Sequence, residues 1–431
     1  MNFSFLKNKE TKNAGWLIGE QVFQMLLSLV VGVLSARYLG PSNYGILNYT
    51  ASFVSFFLSI ATLGMEGVLV KKLICFPDEE GVYLGSSMLF RLISSLLSMM
   101  AVTLIVFVLK PHEPIYALIT FLQSFQLLFR AIQILDSWFQ RHLKSKFVSI
   151  GKMLAAIVVS GYKIYLLATQ KSVIWFALSN GLTDLVIAVV LLWYYKRENG
   201  QRLNKQLKIG WGVLKESYHF ILSGLMVAIY GQIDKIMIGQ SMGDIDVGLY
   251  SVAVTISSMW VFIPTAIINS FRPKIMETKE SGNEELYILR LQQLYTGVIW
   301  LCLFVSLFIA VLAEPIVYIL YGAEYLGATS ALRIVVWCDA FSMIGVARNI
   351  WILSENKNKY IKYLLGMGAI VNVVLNALMI PTIGINGAAI ATLITQIVTS
   401  LIAPLFFKET RVHTFIVLEA FTLKWYRKKK S

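Results

Sequence analysis

Apolar runs of roughly twenty residues recur along the whole sequence and restrict the chain to a narrow class of folds. The run at 294–313 is one of them. An α-helix rises about 1.5 Å per residue, so about twenty residues cross about 30 Å of hydrocarbon. Of the 431 residues, 57% are apolar and 14% are charged, whereas soluble proteins average about 45–50% and about 25%. The sequence therefore predicts an all-α polytopic membrane protein.

Charges, glycines and prolines divide the apolar sequence into about twelve predicted membrane-spanning helices. The first six are 14–36, 46–69, 86–109, 115–135, 148–168 and 173–195. The second six are 217–240, 249–271, 292–313, 331–353, 361–381 and 387–407. We expect two six-helix lobes around a central cavity: an N-terminal lobe at 1–197, a basic cytoplasmic linker at 198–216, and a C-terminal lobe at 217–431 that ends in a basic cytoplasmic tail.

The distribution of Lys and Arg predicts the orientation, because cytoplasmic loops of membrane proteins carry the excess of these residues. With the N-terminus inside, 28 of the 38 Lys and Arg residues fall on the cytoplasmic side, 3 fall outside and 7 lie within spans. Both termini are therefore predicted to be cytoplasmic. Topology also explains the net charge of +14, since the basic residues form no arginine-rich arm of the kind that binds nucleic acid. We expect no nucleic-acid partner.

Recognisable catalytic and metal-binding motifs are absent from the sequence. The cysteines, Cys75, Cys302 and Cys338, form no CxxC pair, and the four histidines form no HExxH motif. No phosphate-binding GxxxxGK[ST] loop or nucleophile elbow is present. We therefore expect a transporter and not an enzyme, without a cofactor and without ATP as its direct energy source.

Polar residues spaced three and four positions apart mark one face of several spans. Serine and threonine at such positions also serve helix packing in lipid, whereas glutamine, asparagine and charged side chains are costly to expose there. These stripes predict a water-accessible interior. Its candidate polar residues are Gln24, Asn48, Gln123, Gln126 and Asn269.

Basic residues in or near the spans are a sharper signal, because a charge at the bilayer centre costs about 2.5–3.5 kcal/mol and usually marks a transport pathway. A basic excess in a polar cavity would attract an anion, and guanidinium groups suit phosphate through forked hydrogen bonds. The candidate anion-binding residues are Arg37, Arg130, Lys235, Arg272, Arg333 and Arg348. The alternative for each is that it snorkels at a span end or pairs with an acidic residue.

Acidic residues inside the spans are candidates for carrying a coupling proton or sodium ion. They are Glu20, Glu66, Asp234 and Asp339. The alternative interpretation is that Asp234 neutralises Lys235 or a base of the other lobe. Both interpretations stay open at the level of sequence.

Five segments resemble a known family: 36–47 (ARYLGPSNYGIL), 232–239 (QIDKIMIG), 247–253 (VGLYSVA), 263–266 (IPTA) and 271–274 (FRPK). They are similar to segments of the polysaccharide flippases, which move undecaprenyl-pyrophosphate-linked oligosaccharides across bacterial inner membranes. This family is a branch of the multidrug/oligosaccharidyl-lipid/polysaccharide exporter superfamily. The resemblance implies two lobes around a cationic cavity, alternating access, and a polyprenyl tail that stays in lipid. It places Arg37, Lys235 and Arg272 near the family's loop patterns.

The function that this resemblance implies is the flipping of repeat units from the cytoplasmic to the outer face, for lipopolysaccharide O-antigen or a related polysaccharide. Its partners would be the lipid-linked oligosaccharide, membrane lipids, a polysaccharide polymerase and glycosyltransferases. One alternative is an ion-coupled small-molecule exporter of the same superfamily, which would be expected to have an acidic cavity. The other is a membrane polysaccharide polymerase or ligase, which would be expected to carry a long external loop that this sequence lacks.

Overall fold

The computed structural model describes the backbone of residues 9–422, and the side chains from residue 19 onward except that of residue 22. Within this part of the chain the regular elements are all helical, with fifteen α-helices and no strand. The all-α prediction is confirmed.

Two compact units divide the chain, Met1–Gln232 and Ile233–Ser431. The first unit contains α1 (Lys9–Ala61), α2 (Glu66–Cys75), α3 (Glu80–Leu109), α4 (Pro114–Ile132), α5 (Asp136–Arg141), α6 (Ser145–Ala168) and α7 (Val173–Arg197). The boundary falls within α8 (Leu207–Ser241). The second unit continues with α9 (Asp244–Ser258), α10 (Phe262–Glu280), α11 (Glu284–Val311), α12 (Ala313–Tyr321), α13 (Ala328–Ser354), α14 (Ile361–Ile397) and α15 (Arg411–Phe421).

Nine helical stretches of the described residues are long and apolar enough to cross a membrane, or ten if α9 and α10, which meet at 41°, form one broken span. Two of the stretches, Gly19–Cys75 and Asn358–Phe406, have 57 and 49 residues and are too long for a single crossing. Each is broken at a glycine with positive φ, Gly40 at 69° and Gly384 at 62°, a conformation that glycine adopts without steric cost. Splitting both stretches there, and counting α9 with α10 as one broken span, gives the twelve crossings expected from the sequence.

The second span ends earlier than the predicted residue 69. Helix α1 stops at Ala61, and the chain turns through Leu63 and Gly64, both with positive φ, before α2 begins. Glu66 therefore opens the short helix α2 and does not lie inside the long helix of the span. A Cβ at Gly64 would also press against the Phe220 side chain, at 2.7 Å.

An apolar core holds one end of the first unit together. Leu69 of α2, Leu84 of α3, Trp138 and Phe139 of α5 and Tyr195 of α7 belong to one buried cluster. Burial of aromatic and aliphatic side chains from separate helices fixes the ends of those helices against one another.

In the second unit, α13 packs against α9, α10, α11 and α14. Helix α15 packs against α11, where Thr296 donates a hydrogen bond to the backbone oxygen of Ala420. The predicted basic tail thus includes a docked helix. Its last residues, 423–431, lie outside the described part of the chain.

Candidate functional site

A polar pocket of about 150 Å³ lies inside the first unit, where α1, α4, α6 and α7 meet. Its polar lining residues are Ser35, Asn48, Gln123, Lys163, Ser179 and Asn180. The structure thus brings two of the predicted polar residues, Asn48 and Gln123, to one pocket. The Gln123 side chain donates to the backbone oxygen of Leu47 at 3.1 Å, and that of Asn48 donates to the backbone oxygen of Tyr44 at 2.8 Å. Both amides are held by α1.

The other predicted polar residues lie elsewhere. Gln24 and Gln126 are half-buried on α1 and α4, and neither is among the described residues that line this pocket. Asn269 is exposed on α10 of the second unit.

A charged network links α4 and α7 of the first unit. The Arg130 guanidinium lies 3.5 Å from the Asp184 carboxylate and donates to the Gln133 side chain at 3.0 Å. Gln133 in turn donates to the same Asp184 carboxylate at 2.7 Å. Because Asp184 balances the charge of Arg130, this candidate anion-binding residue is an ion-pair partner within its own unit.

Two candidate coupling acids are also paired with bases in the first unit. Glu66 lies 3.6 Å from Arg91, whose side chain is only 1% exposed. Glu20 lies 3.8 Å from Lys152. Arg91 additionally donates to the backbone oxygen of Arg130 at 3.2 Å, so this buried arginine connects α2, α3 and α4.

Asp234 is the hub of a buried polar cage in the second unit. Its carboxylate accepts hydrogen bonds from Tyr250 at 2.8 Å, from Asn376 at 2.6 Å and from Thr392 at 2.6 Å. The Asn376 amide also donates to the Asn372 side chain at 3.1 Å. The oxygen of the Asn376 amide is buried and has no hydrogen-bond partner among the described residues. Among the described residues, the hydrogen-bond partners of this carboxylate are all neutral donors.

The sequence reasoning missed the three polar residues of α14 in this cage, because they stand in a long apolar run and form no extended stripe. The one available signal was the four-residue spacing of Asn372 and Asn376, which places both on one helix face. The described residues hold no group of three His, Cys, Asp or Glu side chains suited to a transition metal. The oxygen atoms of the Asp234 carboxylate and of the Tyr250 and Thr392 hydroxyls are the type of ligand that a hard cation prefers.

Lys235 follows Asp234 in the chain but is half-buried and forms no ion pair among the described residues. The Asp234 carboxylate therefore acts on Lys235 through space and not through an ion pair. The last candidate coupling acid, Asp339 on α13, is half-buried and accepts a hydrogen bond from the Ser257 hydroxyl.

The remaining candidate bases differ in their surroundings. Arg348 is 4% exposed and donates to the backbone oxygen of Thr399, so it is built into the interior of the second unit. Arg333 is half exposed and lies 3.8 Å from Glu314. Arg37 and Arg272 are exposed. The six candidate bases are divided between the two units, with Arg37 and Arg130 in the first and the other four in the second.

A family model described as polysaccharide biosynthesis protein matches residues 11–279. The chain belongs to this family. The resemblance drawn from the sequence motifs is thereby confirmed, and this member of the polysaccharide biosynthesis family is a multi-pass membrane protein.

Two curated relatives are similar over part of the chain. The probable flippase AglR of Haloferax volcanii is 28% identical over 187 residues, which are 42% of this chain and 39% of that protein. The lipid II flippase MurJ of Bacillus subtilis is 24% identical over 212 residues, which are 46% of this chain and 39% of that protein. The matched part therefore spans about two fifths of the length of either relative.

Solved structures show the same fold. The lipid II flippase MurJ in an inward closed conformation has a TM-score of 0.70 at 16% identity, covering 95% of this chain and 92% of that one. An inward-facing multidrug resistance MATE family transporter of the MOP superfamily has a TM-score of 0.68 at 16% identity, covering 92% and 96%. The polysaccharide biosynthesis protein thus has the two-lobe helical fold of that superfamily.

Proposed function

We propose that the protein flips undecaprenyl-pyrophosphate-linked oligosaccharide repeat units from the cytoplasmic to the outer face of the bacterial inner membrane. The observation that carries this proposal is the family match over residues 11–279, joined by two partial relatives that are named flippases. Alternating access would present the sugar pyrophosphate to each side in turn while the polyprenyl chain stays in lipid. The protein would act as a transporter and not as an enzyme.

The bases best suited to hold the pyrophosphate are those that are exposed or that form no ion pair among the described residues. Lys235 has no ion-pair partner among the described residues, and Arg37 and Arg272 are exposed. Charge-assisted hydrogen bonds from such groups are the strong interactions that phosphate recognition uses. Arg130 and Arg348 instead hold their helices together, through Asp184 and the Thr399 backbone.

Asp234 is the best-supported coupling residue of the four candidates. Its carboxylate is 6% exposed and receives only neutral donors among the described residues. A proton or a sodium ion at this carboxylate would remove the one buried charge of the cage. Glu20 and Glu66 are each paired with a base. Because that base already balances the carboxylate charge, a coupling cation would bind these residues less favourably.

The substrate would be an O-antigen unit or a related repeat, and the termini would be cytoplasmic. A polymerase would take the flipped product, and glycosyltransferases would supply the substrate. The fold similarity to a multidrug transporter keeps an ion-coupled small-molecule exporter as the alternative function.

Deletion of the gene in its host, with assay of undecaprenyl-linked glycans on each face of the inner membrane, tests the proposal. A complete lipid-linked repeat should accumulate on the cytoplasmic face and disappear when the wild-type gene is restored. Accumulation of flipped but unpolymerised repeat would favour a polymerase. An unchanged glycan pool would favour the small-molecule exporter.

A further inference from the structure

Helix α15 of the second unit is apolar on its exposed side as well as on its buried side. Val412, Phe415, Leu418 and Phe421 are 46–59% exposed, and the opposite face is buried against the unit. A helix that is hydrophobic all round is not stable in water. With 11 residues, α15 is too short to cross a membrane. Its exposed face is therefore covered by lipid at the membrane surface.

Two sets of contacts fix α15 at this position. The side chains of Arg411 and Thr414 donate hydrogen bonds at 2.7 and 3.0 Å to backbone oxygens within residues 401–405, at the end of the last crossing. The Phe421 ring stacks on the Trp300 ring, with 6.1 Å between the centroids. Trp300 is 47% exposed on the crossing helix α11 and faces lipid. The exposed face of α15 thus continues the lipid-facing surface of α11.

An apolar cavity of about 200 Å³ lies between α11, α13 and α15. The lining that the structure describes is wholly apolar, with Ala340 and Ile344 on α13 and Leu418 and Phe421 on α15. Because Leu418 and Phe421 are half-exposed, the cavity opens on the lipid-covered side of α15. An apolar cavity of this size excludes water and takes up an apolar molecule. A hydrocarbon chain from the surrounding leaflet is such a molecule.

Basic residues flank the cavity along the chain. Lys408 and Arg411 are exposed before and at the start of α15. The sequence of residues 424–430, KWYRKKK, contains five further Lys and Arg residues and begins three positions after Phe421. Clusters of Lys and Arg beside a membrane span attract anionic lipid headgroups. A lipid with a negative headgroup therefore matches both the cavity and the charges.

We propose that the second unit binds one anionic phospholipid of the surrounding leaflet, with an acyl chain in this cavity and the headgroup beside the basic residues that flank α15. The chain would complete the packing between α15 and the crossing helices α11 and α13. Binding of this lipid does not require transport. The proposal can therefore fail while the flippase function stands, and the reverse.

Titration of the purified full-length protein in detergent, followed by native mass spectrometry, tests the headgroup. Dioleoyl phosphatidylglycerol should bind about tenfold more tightly than dioleoyl phosphatidylcholine, as expected from one or two lysine or arginine contacts. Removal of the five charges that follow α15 should reduce this ratio to about two, in K424Q/R427Q/K428Q/K429Q/K430Q. Arg411 is kept because it fastens the helix. The matched control removes five exposed charges of the first unit and should keep the tenfold ratio, in K196Q/R197Q/R202Q/K205Q/K208Q.

A second set of variants tests the acyl-chain cavity without changing any charge. A340L fills the cavity and should weaken phosphatidylglycerol binding at least about tenfold, while the thermal unfolding temperature should not fall, since filling an apolar cavity is stabilising. I344F fills the same space from the next turn of α13 and serves if A340L does not fold. L307F enlarges a 54% exposed residue of α11 outside the cavity and should leave binding unchanged.

Three results would overturn the proposal. The first is equal binding of the two phospholipids by the wild type. The second is a preference that survives loss of the five charges, or affinity that is unchanged when the cavity is filled. The third is displacement of phosphatidylglycerol by undecaprenyl phosphate at lower concentration than by a second phosphatidylglycerol, which would assign the cavity to a polyprenyl chain.

Discussion

Asn376 donates a 2.6 Å hydrogen bond to the buried carboxylate of Asp234, which lies 142 positions earlier in the sequence. Tyr250 and Thr392 donate to the second oxygen of the same carboxylate. These contacts join α8, α9 and α14 around one negative charge. The charge is held by neutral dipoles, so each donor contributes to the stability of the second unit.

Removal of one hydrogen-bond donor from this cage should lower the free energy of unfolding by a measurable amount. We expect Y250F to lower the free energy of unfolding by about 1–2 kcal/mol, because hydrogen bonds to charged groups are worth about 1.5–3 kcal/mol. The matched control is Y195F, which removes a 2.6 Å hydrogen bond to the uncharged backbone oxygen of Gln201 and should cost less. Thermal unfolding of the detergent-solubilised variants gives both values. Equal losses would contradict the special role of the carboxylate, as would an undiminished Y250F effect in a D234N background.

The segment between α7 and α8 is held tightly against α3. Gly81 accepts a backbone hydrogen bond from Asn204 at 3.1 Å, and the Ser86 hydroxyl accepts one from the backbone of Gln206 at 2.9 Å. A Cβ at Gly85 would overlap the Asn204 carbonyl oxygen. We expect G85A to displace this segment at a cost of about 1–3 kcal/mol.

Limited trypsin digestion measures the displacement, since Arg202 and Lys205 lie in the segment. Cleavage there should be faster in G85A than in the wild type. G67A is the control, because a Cβ at Gly67 meets nothing within 4 Å. Unaltered cleavage in G85A would mean that the segment is not anchored by this close approach.

The helical crossings could be predicted from sequence because bilayer thickness sets the length of an apolar run. The breaks within the long helices were harder to predict from the sequence. Leu63 and Gly64 adopt positive φ, but apolar residues continue on both sides of this turn, so the separate helix α2 was absorbed into the predicted span. Helix α15 was missed because its apolar face is too short to cross a membrane.

The candidate site was predictable in part. Asn48 and Gln123 share a pocket because stripes of polar residues on neighbouring spans face one another. The pairing of Arg130 with Asp184 and the burial of Arg348 depend on which spans pack together, and residue spacing within one span does not contain that information. A single amide pair such as Asn372 and Asn376 gives too little periodicity to stand out in an apolar run.

The Arg91–Glu66 pair should behave as a partly buried ion pair. Arg91 is 1% exposed and Glu66 is 61% exposed, so E66Q leaves a buried guanidinium without its carboxylate. We expect a loss of about 1–2 kcal/mol in unfolding free energy, below the about 3–5 kcal/mol of a fully buried pair because Glu66 is solvated. The double variant R91M/E66Q should recover stability, since neither charge remains.

The control for this pair is E113Q. Lys110 and Glu113 are separated by the same 3.6 Å, but their side chains are 20% and 51% exposed, and an exposed pair of this kind contributes about 0–1 kcal/mol. Chemical denaturation followed by tryptophan fluorescence compares the variants. An E66Q loss no larger than that of E113Q would show that burial of Arg91 adds nothing to the pair.

Glu355 lies in the turn after α13, and its ion pairs predict that the protein becomes less stable in acid. Burial alone would raise the pKa of this carboxyl, but Lys279 at 2.7 Å and Lys357 at 3.6 Å hold its pKa below the ordinary value of 4.5. A lowered pKa in the folded state contributes stability above pH 4.5, and that contribution is lost as the pH falls through the folded value. We expect E355Q to cost about 0.5–1 kcal/mol at pH 7 and less at pH 3, measured by thermal unfolding. A cost that is the same at both pH values would contradict the ion-pair origin.

Lys235 and Arg272 should matter for transport, whereas Arg348 should matter for folding. Lys235 forms no ion pair among the described residues and Arg272 is exposed, so alanine at either position removes a charge without leaving a buried partner unsatisfied. We expect K235A and R272A to reduce restoration of polysaccharide in the deletion strain about tenfold, the loss from one charge-assisted hydrogen bond. Immunoblots should show normal amounts of both proteins in the membrane. R348A, in contrast, opens a buried site and releases the Thr399 carbonyl, so it should reduce the amount of protein. Full restoration by K235A and R272A would exclude these bases from substrate binding.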